Sequence, residues 1–130
     1  MLSHVTLGTS DIERAKGFYD TVLAVLGIAC QFDERAHGWL GYAAGPESLP
    51  QFWIGRPIDG RVPTVGNGVT VAFAASSRVM VDAFHRSALG AGASDEGAPG
   101  LRPHYHPDYY GAYIRDLDGH KICCVCHAPA

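Results

Sequence analysis

The chain has 130 residues, of which 47% are hydrophobic and 18% charged, and a formal net charge of −3. That length suits one domain able to bury about two-thirds of its unfolded surface without staples. Its Lys and Arg are scattered, so no basic stripe awaits a phosphate backbone, and no apolar run approaches the roughly 20 residues a membrane span needs. Nucleic-acid and membrane partners are therefore not expected. The N-terminus lacks the basic region, apolar core and cleavage site of a secretory signal, which makes the cytoplasm the expected compartment.

In chain order, Leu2 to Gly8 alternates as a strand, with Val5 and Leu7 facing one way and His4 and Thr6 the other. Ser10-Asp11-Ile12-Glu13 reads as a capping box opening a helix, whose apolar positions Ile12, Ala15, Phe18, Tyr19, Val22 and Leu26 recur at helical spacing until Gly27. Short strands are expected at Ile28 to Phe32, Trp39 to Ala43 and Gln51 to Ile54. Residues 56–68, rich in Gly and Pro, read as a connector between a first module of about residues 1–55 and a second of about 69–130.

The second module repeats the plan. Shifting the first copy so that His4 falls on Thr70 sets Val5 on Val71, Ser10 on Ser76, Phe18 on Phe84 and Leu23 on Leu89. A strand at Val69 to Ala75 leads into a helix capped by Ser76 or Ser77, with Val81, Phe84, Ala88 and Leu89 on its apolar face. His85 is expected half-exposed on that helix, and His37 and His120 in turns, none of them with a catalytic role. A short extended piece near Ala93 and Ser94, a loop through Gly97 to Gly100, and strands at Tyr109 to Arg115 and His120 to His127 complete the chain. The expected class is α+β: two tandem βαβββ modules forming a curved mixed sheet around a cavity, closed within one chain or swapped between two.

Cys123 and Cys124 point to opposite faces of a strand, and Cys124 and Cys126 sit roughly 6.5 Å apart, near the limit of disulfide geometry. Reduced, buried thiols follow. Cys123 and His127 share a face but lie roughly 13 Å apart, too far to share one ion.

Together, His4 on the first strand, the Asp11-centred cap, Phe18-Tyr19, Val71-Ala72-Phe73 and Asp116-x-Asp118-Gly119-His120-Lys121-Ile122 resemble the vicinal oxygen chelate superfamily. That group contains glyoxalase I, bleomycin-resistance proteins and extradiol dioxygenases. Gly97 to Pro103 with Tyr109-Tyr110 is similar to an uncharacterised bacterial glyoxalase-like branch. The resemblance implies four places where a divalent metal such as Zn, Fe, Ni or Mn would be held. His4 matches the first. The second falls on Gln51 or Trp53, the third on Thr70 and the fourth on Cys123, so three of four depart from the His and Glu pattern, and a thiol stands where the family's base would be.

The leading expectation is a domain of unknown substrate with an incomplete metal site around His4 and Cys123, binding a small organic ligand, aromatic or acidic, as a homodimer. Candidate ligand contacts are Trp53 as a stacking surface, Thr70, Arg102 for a carboxylate or phosphate, and His104, Tyr105, Tyr109, Tyr110 and Tyr113. For the loop residues, packing at a subunit interface is the competing reading. A metal-dependent lyase, isomerase or dioxygenase using His4 and Cys123, and a structural dimer without a ligand, stand as alternatives.

Overall fold

The computed structural model of the protein describes the whole chain, residues 1–130. Its elements are β1 (His4–Gly8), α1 (Ile12–Ala24), β2 (Ala29–Glu34), β3 (Trp39–Ala43), β4 (Gln51–Gly55), β5 (Val71–Ala74), α2 (Arg78–Gly90), β6 (Ser94–Leu101), β7 (Tyr110–Arg115) and β8 (Lys121–Cys126). They divide into two compact units, Met1–Val65 and Gly66–Ala130. The first holds a four-stranded sheet in the order β1-β4-β3-β2 and the second a sheet in the order β5-β8-β7-β6. In each, the first and last strands pair in parallel and the rest are antiparallel. The chain is thus an α+β protein of two βαβββ modules with identical topology, and its strands make two separate four-stranded mixed sheets.

Each helix covers one face of its own sheet. The buried stripe of α1 is Ile12, Ala15, Phe18, Tyr19, Val22 and Leu23, and that of α2 is Val81, Phe84, His85 and Ala88. Burying each large apolar side chain here stabilises the fold by about 1.5–3 kcal/mol. The repeat holds at this level: Ala15 and Val81, Phe18 and Phe84, and Tyr19 and His85 are buried as matched pairs. It fails at Leu23, which is buried, against Leu89, which is exposed.

Several boundaries differ from the sequence expectation. Asp11, not Ser10, caps α1: its backbone is extended and its carboxylate accepts from the Arg14 N–H at 3.0 Å. Glu13 does not reach back to the cap, because its carboxylate binds the Arg35 guanidinium at 2.9 Å. The helix stops at Ala24, short of Leu26. There Gly27 takes a left-handed φ of 72° and lets the Ile28 N–H return to the Leu23 carbonyl at 3.1 Å. Ser77 caps α2, its hydroxyl accepting from the Met80 N–H at 3.2 Å. The strand expected to end at Phe32 runs on through Asp33 and Glu34.

Three larger corrections concern the second unit and the connector. Gly97 to Gly100, expected as loop, lie inside the eight-residue strand β6, which pairs with β7 through two register shifts. His85, expected half-exposed, is buried, with its Nε2 3.0 Å from the Asp95 carboxylate. His120 is also buried. The connector is in part folded structure: Pro63 packs so closely on Gly8 that a β-carbon there would stand 2.7 Å from it, and the chain belongs to the first unit as far as Val65.

Candidate functional site

Side chains alternate across a strand, so the residues between those packed on a helix point to the opposite face of the sheet. In each unit that second face carries a shallow pocket. In the first, His4 and Thr6 of β1, Trp39 of β3, and Gln51 and Trp53 of β4 line a cavity of about 270 Å³. Trp53 stacks on Phe32, with ring centres 5.3 Å apart and planes 17° from parallel, and its indole N–H donates to the Gln51 side-chain carbonyl at 2.9 Å. The His4 Nδ1 lies 2.9 Å from the Ser3 hydroxyl. No Asp, Glu, Lys or Arg side chain lines this pocket.

In the second unit Thr70, Ala72, Tyr105, Tyr109, Tyr113, Lys121 and Cys123 line a cavity of about 290 Å³. Tyr109 organises it. Its hydroxyl is 2.7 Å from that of Tyr113 and 3.6 Å from the Cys123 sulfur, and its ring packs against Tyr105. Burial, followed by the bonds to Tyr113 and Cys123, pushes the Tyr109 hydroxyl well above the usual phenol range. Burial also raises Tyr113. The Cys123 thiol is pushed up by burial, against a smaller pull from its tyrosine bonds and from Arg102 and Lys121. Its neighbour Cys124 is pushed up to about 12 by burial. A thiol held protonated in this way is a weak ligand and a weak nucleophile.

Of the ligand contacts expected from sequence, Thr70, Tyr105, Tyr109 and Tyr113 come together in one pocket, and Trp53 lies in the other. Arg102, His104 and Tyr110 line neither. The Arg102 guanidinium donates to the carbonyls of Gly100 and Ala98, both at 2.9 Å, and so braces the irregular strand β6. His104 rests against the ring of the exposed Tyr105. The Tyr110 hydroxyl donates to Asp82 on α2 at 2.6 Å, beneath the Arg78 guanidinium, which places it on the helix side of the sheet. Lys121, Ala72 and Thr6 were not singled out by sequence. Lys121 had a signal in the repeat: His4 pairs with Gln51, and the strand equivalent to β4 is β8, which starts at Lys121.

The same register relates Trp53 to Cys123. Thr6 pairs with Trp53, and its repeat counterpart Ala72 pairs with Cys123, so Trp53 is the counterpart of Cys123. With Trp53 at the second, the four places that the resemblance implies would offer an imidazole, an indole, a hydroxyl and a buried thiol whose pKa burial raises. Nowhere in the chain do three or more His, Cys, Asp or Glu side chains group so as to hold a metal ion. This donor set does not fit the family's divalent metal, for which imidazole and carboxylate oxygen are the ligands. The His127 Nδ1 lies 2.8 Å from the Nε2 of His106.

No helix is long and apolar enough to cross a membrane. No protein of curated description matches the sequence. Among solved structures, the chain is similar to a glyoxalase/bleomycin resistance protein from Albidiferax ferrireducens T118, at 39% identity and a TM-score of 0.83, over 98% of this chain and 99% of that one. It shares its fold with a glyoxalase/bleomycin resistance protein/dioxygenase family enzyme from Burkholderia phytofirmans PsJN, at 20% identity and a TM-score of 0.74, over 97% and 98% of the two chains. It also shares its fold with glyoxalase I from Zea mays, at 16% identity and a TM-score of 0.73, over 99% of this chain and 45% of that one. The model of the Glyoxalase/Bleomycin resistance protein/Dioxygenase superfamily matches residues 1–124, and the chain belongs to that superfamily.

Proposed function

We propose that this protein is a binding member of its superfamily, taking a small organic ligand, aromatic or acidic, into the pocket of its second unit and working without a bound metal. The observation that carries this is the Tyr109–Tyr113–Cys123 cluster. A 2.7 Å hydroxyl pair and a protonated thiol line the pocket where the family's metal chemistry would need a carboxylate. Fixed hydroxyls in a partly apolar cavity orient a small ligand by hydrogen bonds and ring contacts. The slot beside Trp53 offers a planar surface in the same spirit. The working form is a homodimer: His4, Thr6, Thr70 and Ala72 remain exposed in the single chain, and a ligand against them needs a further wall. The compartment is the cytoplasm, where the free cysteines stay reduced.

The test is a binding screen on chelator-treated, untagged protein with small aromatic acids and neutral planar aromatics, followed by melting temperature and side-chain NMR. Saturable binding that perturbs Tyr109 and Tyr113, and is lost in Tyr113→Ala, supports the reading. About one tightly bound metal per chain in elemental analysis, absent from His4→Ala, overturns it in favour of a metalloenzyme.

A further inference from the structure

In the second unit's pocket one lining residue carries a charge, and it is a cation. Lys121 lines the cavity with its ammonium 5.3 Å from the centre of the Tyr113 ring, and it has no carboxylate partner. The carboxylates of this unit with assigned partners are all engaged elsewhere. Glu96 binds Arg115 at 2.8 Å, and Arg115 is the cross-strand neighbour of Lys121. Asp95 is held by His85 and the Gly97 N–H, Asp82 by Tyr110, Asp108 by Arg78, and Asp116 by the N–H groups of Asp118 and His120. A second cation, Arg102, stands 5.7 Å from the same Tyr113 ring with two of its N–H donors on backbone carbonyls, and it adds positive field on that side of the pocket. That field reaches the pocket floor, where both cations pull on the Cys123 thiol.

We infer that this pocket selects an organic anion, a carboxylate on a small ring, and that Lys121 binds its charge while the Tyr109–Tyr113 hydroxyls supply the remaining hydrogen bonds. This rests on the reading of the cavity as a ligand pocket and names the class of ligand it takes. The cavity of about 290 Å³ accommodates a single ring with its acid group. A charge-assisted bond from an ammonium to a carboxylate is about twice as strong as a neutral one. Within a partly buried pocket that difference amounts to roughly tenfold in affinity or more.

The experiment compares benzoate with benzamide, its neutral isostere, by NMR titration of the chelator-treated protein. Benzoate is expected to bind wild type roughly tenfold more tightly than benzamide, with the Lys121 ε-methylene and Tyr113 ring signals moving together. Lys121→Gln removes that preference, and Lys121→Arg retains it. Equal binding of the two compounds to wild type overturns the anion inference and leaves the ligand pocket standing. A preference that survives Lys121→Gln assigns the charge to another residue and overturns the role of Lys121. If neither compound gives saturable shifts of the pocket tyrosines, the pocket reading falls and this inference with it. The wild-type comparison stands even where a variant fails to fold.

Discussion

The Trp53 ring lies across Gly41, its cross-strand partner, so closely that a β-carbon on the glycine would stand 2.8 Å from the indole. In the second unit the equivalent pair is reversed: the small residue Cys123 sits on β8 and the large one, Tyr113, on β7. The two modules thus fill the same position from opposite strands. One yields an apolar slot of stacked rings, and the other a pocket rimmed by hydroxyls. Gly41→Ala is expected to force the indole off Phe32, costing about 1–3 kcal/mol as an overpacked contact. Denaturant unfolding gives the cost, and the Trp53 indole N–H resonance reports the displacement. An unchanged resonance with unchanged stability would show that the slot has slack.

How much of this was legible in the sequence depends on the scale. Helical spacing and the internal repeat give the order of elements along the chain, both helices and most of the buried stripe, because these follow from side-chain periodicity alone. The repeat even carried the burial of His85, opposite Tyr19, but an imidazole on a helix reads as polar until its partner is known. That partner, Asp95, lies on another element. Gly97-Ala98-Pro99-Gly100 reads as a loop for a similar reason: its pairing partner is β7, further along the chain, and the Ala98 and Gly100 carbonyls are met by the side chain of Arg102. At the site, the tyrosine cluster was visible as composition. The sorting of Tyr109 and Tyr113 from Tyr110 required the strand register, since one residue of offset sends a side chain to the opposite face.

The His85–Asp95 contact predicts an acid-sensitive contribution to stability. The Gly97 N–H and then His85 hold the Asp95 carboxyl below its ordinary value of 3.8. A carboxyl depressed in the native state favours folding above its unfolded pKa, and that contribution is lost as pH falls through the native one. Asp95→Asn is therefore expected to destabilise the protein at neutral pH and to flatten the fall in stability below about pH 4. Urea unfolding of both proteins between pH 2 and 6 checks the sign. Parallel curves would mean that the ionised form has no special role.

Tyr42 makes the converse prediction at high pH. Its hydroxyl is fully buried and donates to Asp20 at 2.8 Å. Burial, then the bond to Asp20 and its charge, raise the phenol above its ordinary value of 10.0. A raised acid favours the folded state in full below its unfolded pKa, and that advantage drains as pH rises beyond about 10. Tyr42→Phe is expected to lose about 1.5–3 kcal/mol at pH 7, typical of a hydrogen bond to a charged group. It should also lose part of the alkaline decline. Stability measured from pH 7 to 11.5 separates these effects, and a variant as alkali-sensitive as wild type would place the titration elsewhere.

Arg102 was the cation that sequence assigned to a ligand's acid group, and its geometry argues for a different duty. Both its terminal nitrogens end on carbonyls of β6, and Gly97 and Gly100 leave the room it needs: a β-carbon on either would stand 3.1 or 3.2 Å from the guanidinium. A planar fork serves two carbonyls at once, which an ammonium cannot reproduce. Arg102→Lys keeps the charge and loses the brace. Amide exchange across Gly97–Leu101 is expected to speed up by roughly tenfold, the loss of about 1.4 kcal/mol of local protection. Benzoate affinity should meanwhile stay within roughly twofold of wild type, because Lys121 still supplies the binding charge. Unchanged exchange together with a large loss of benzoate affinity would return Arg102 to the ligand and remove it from the strand.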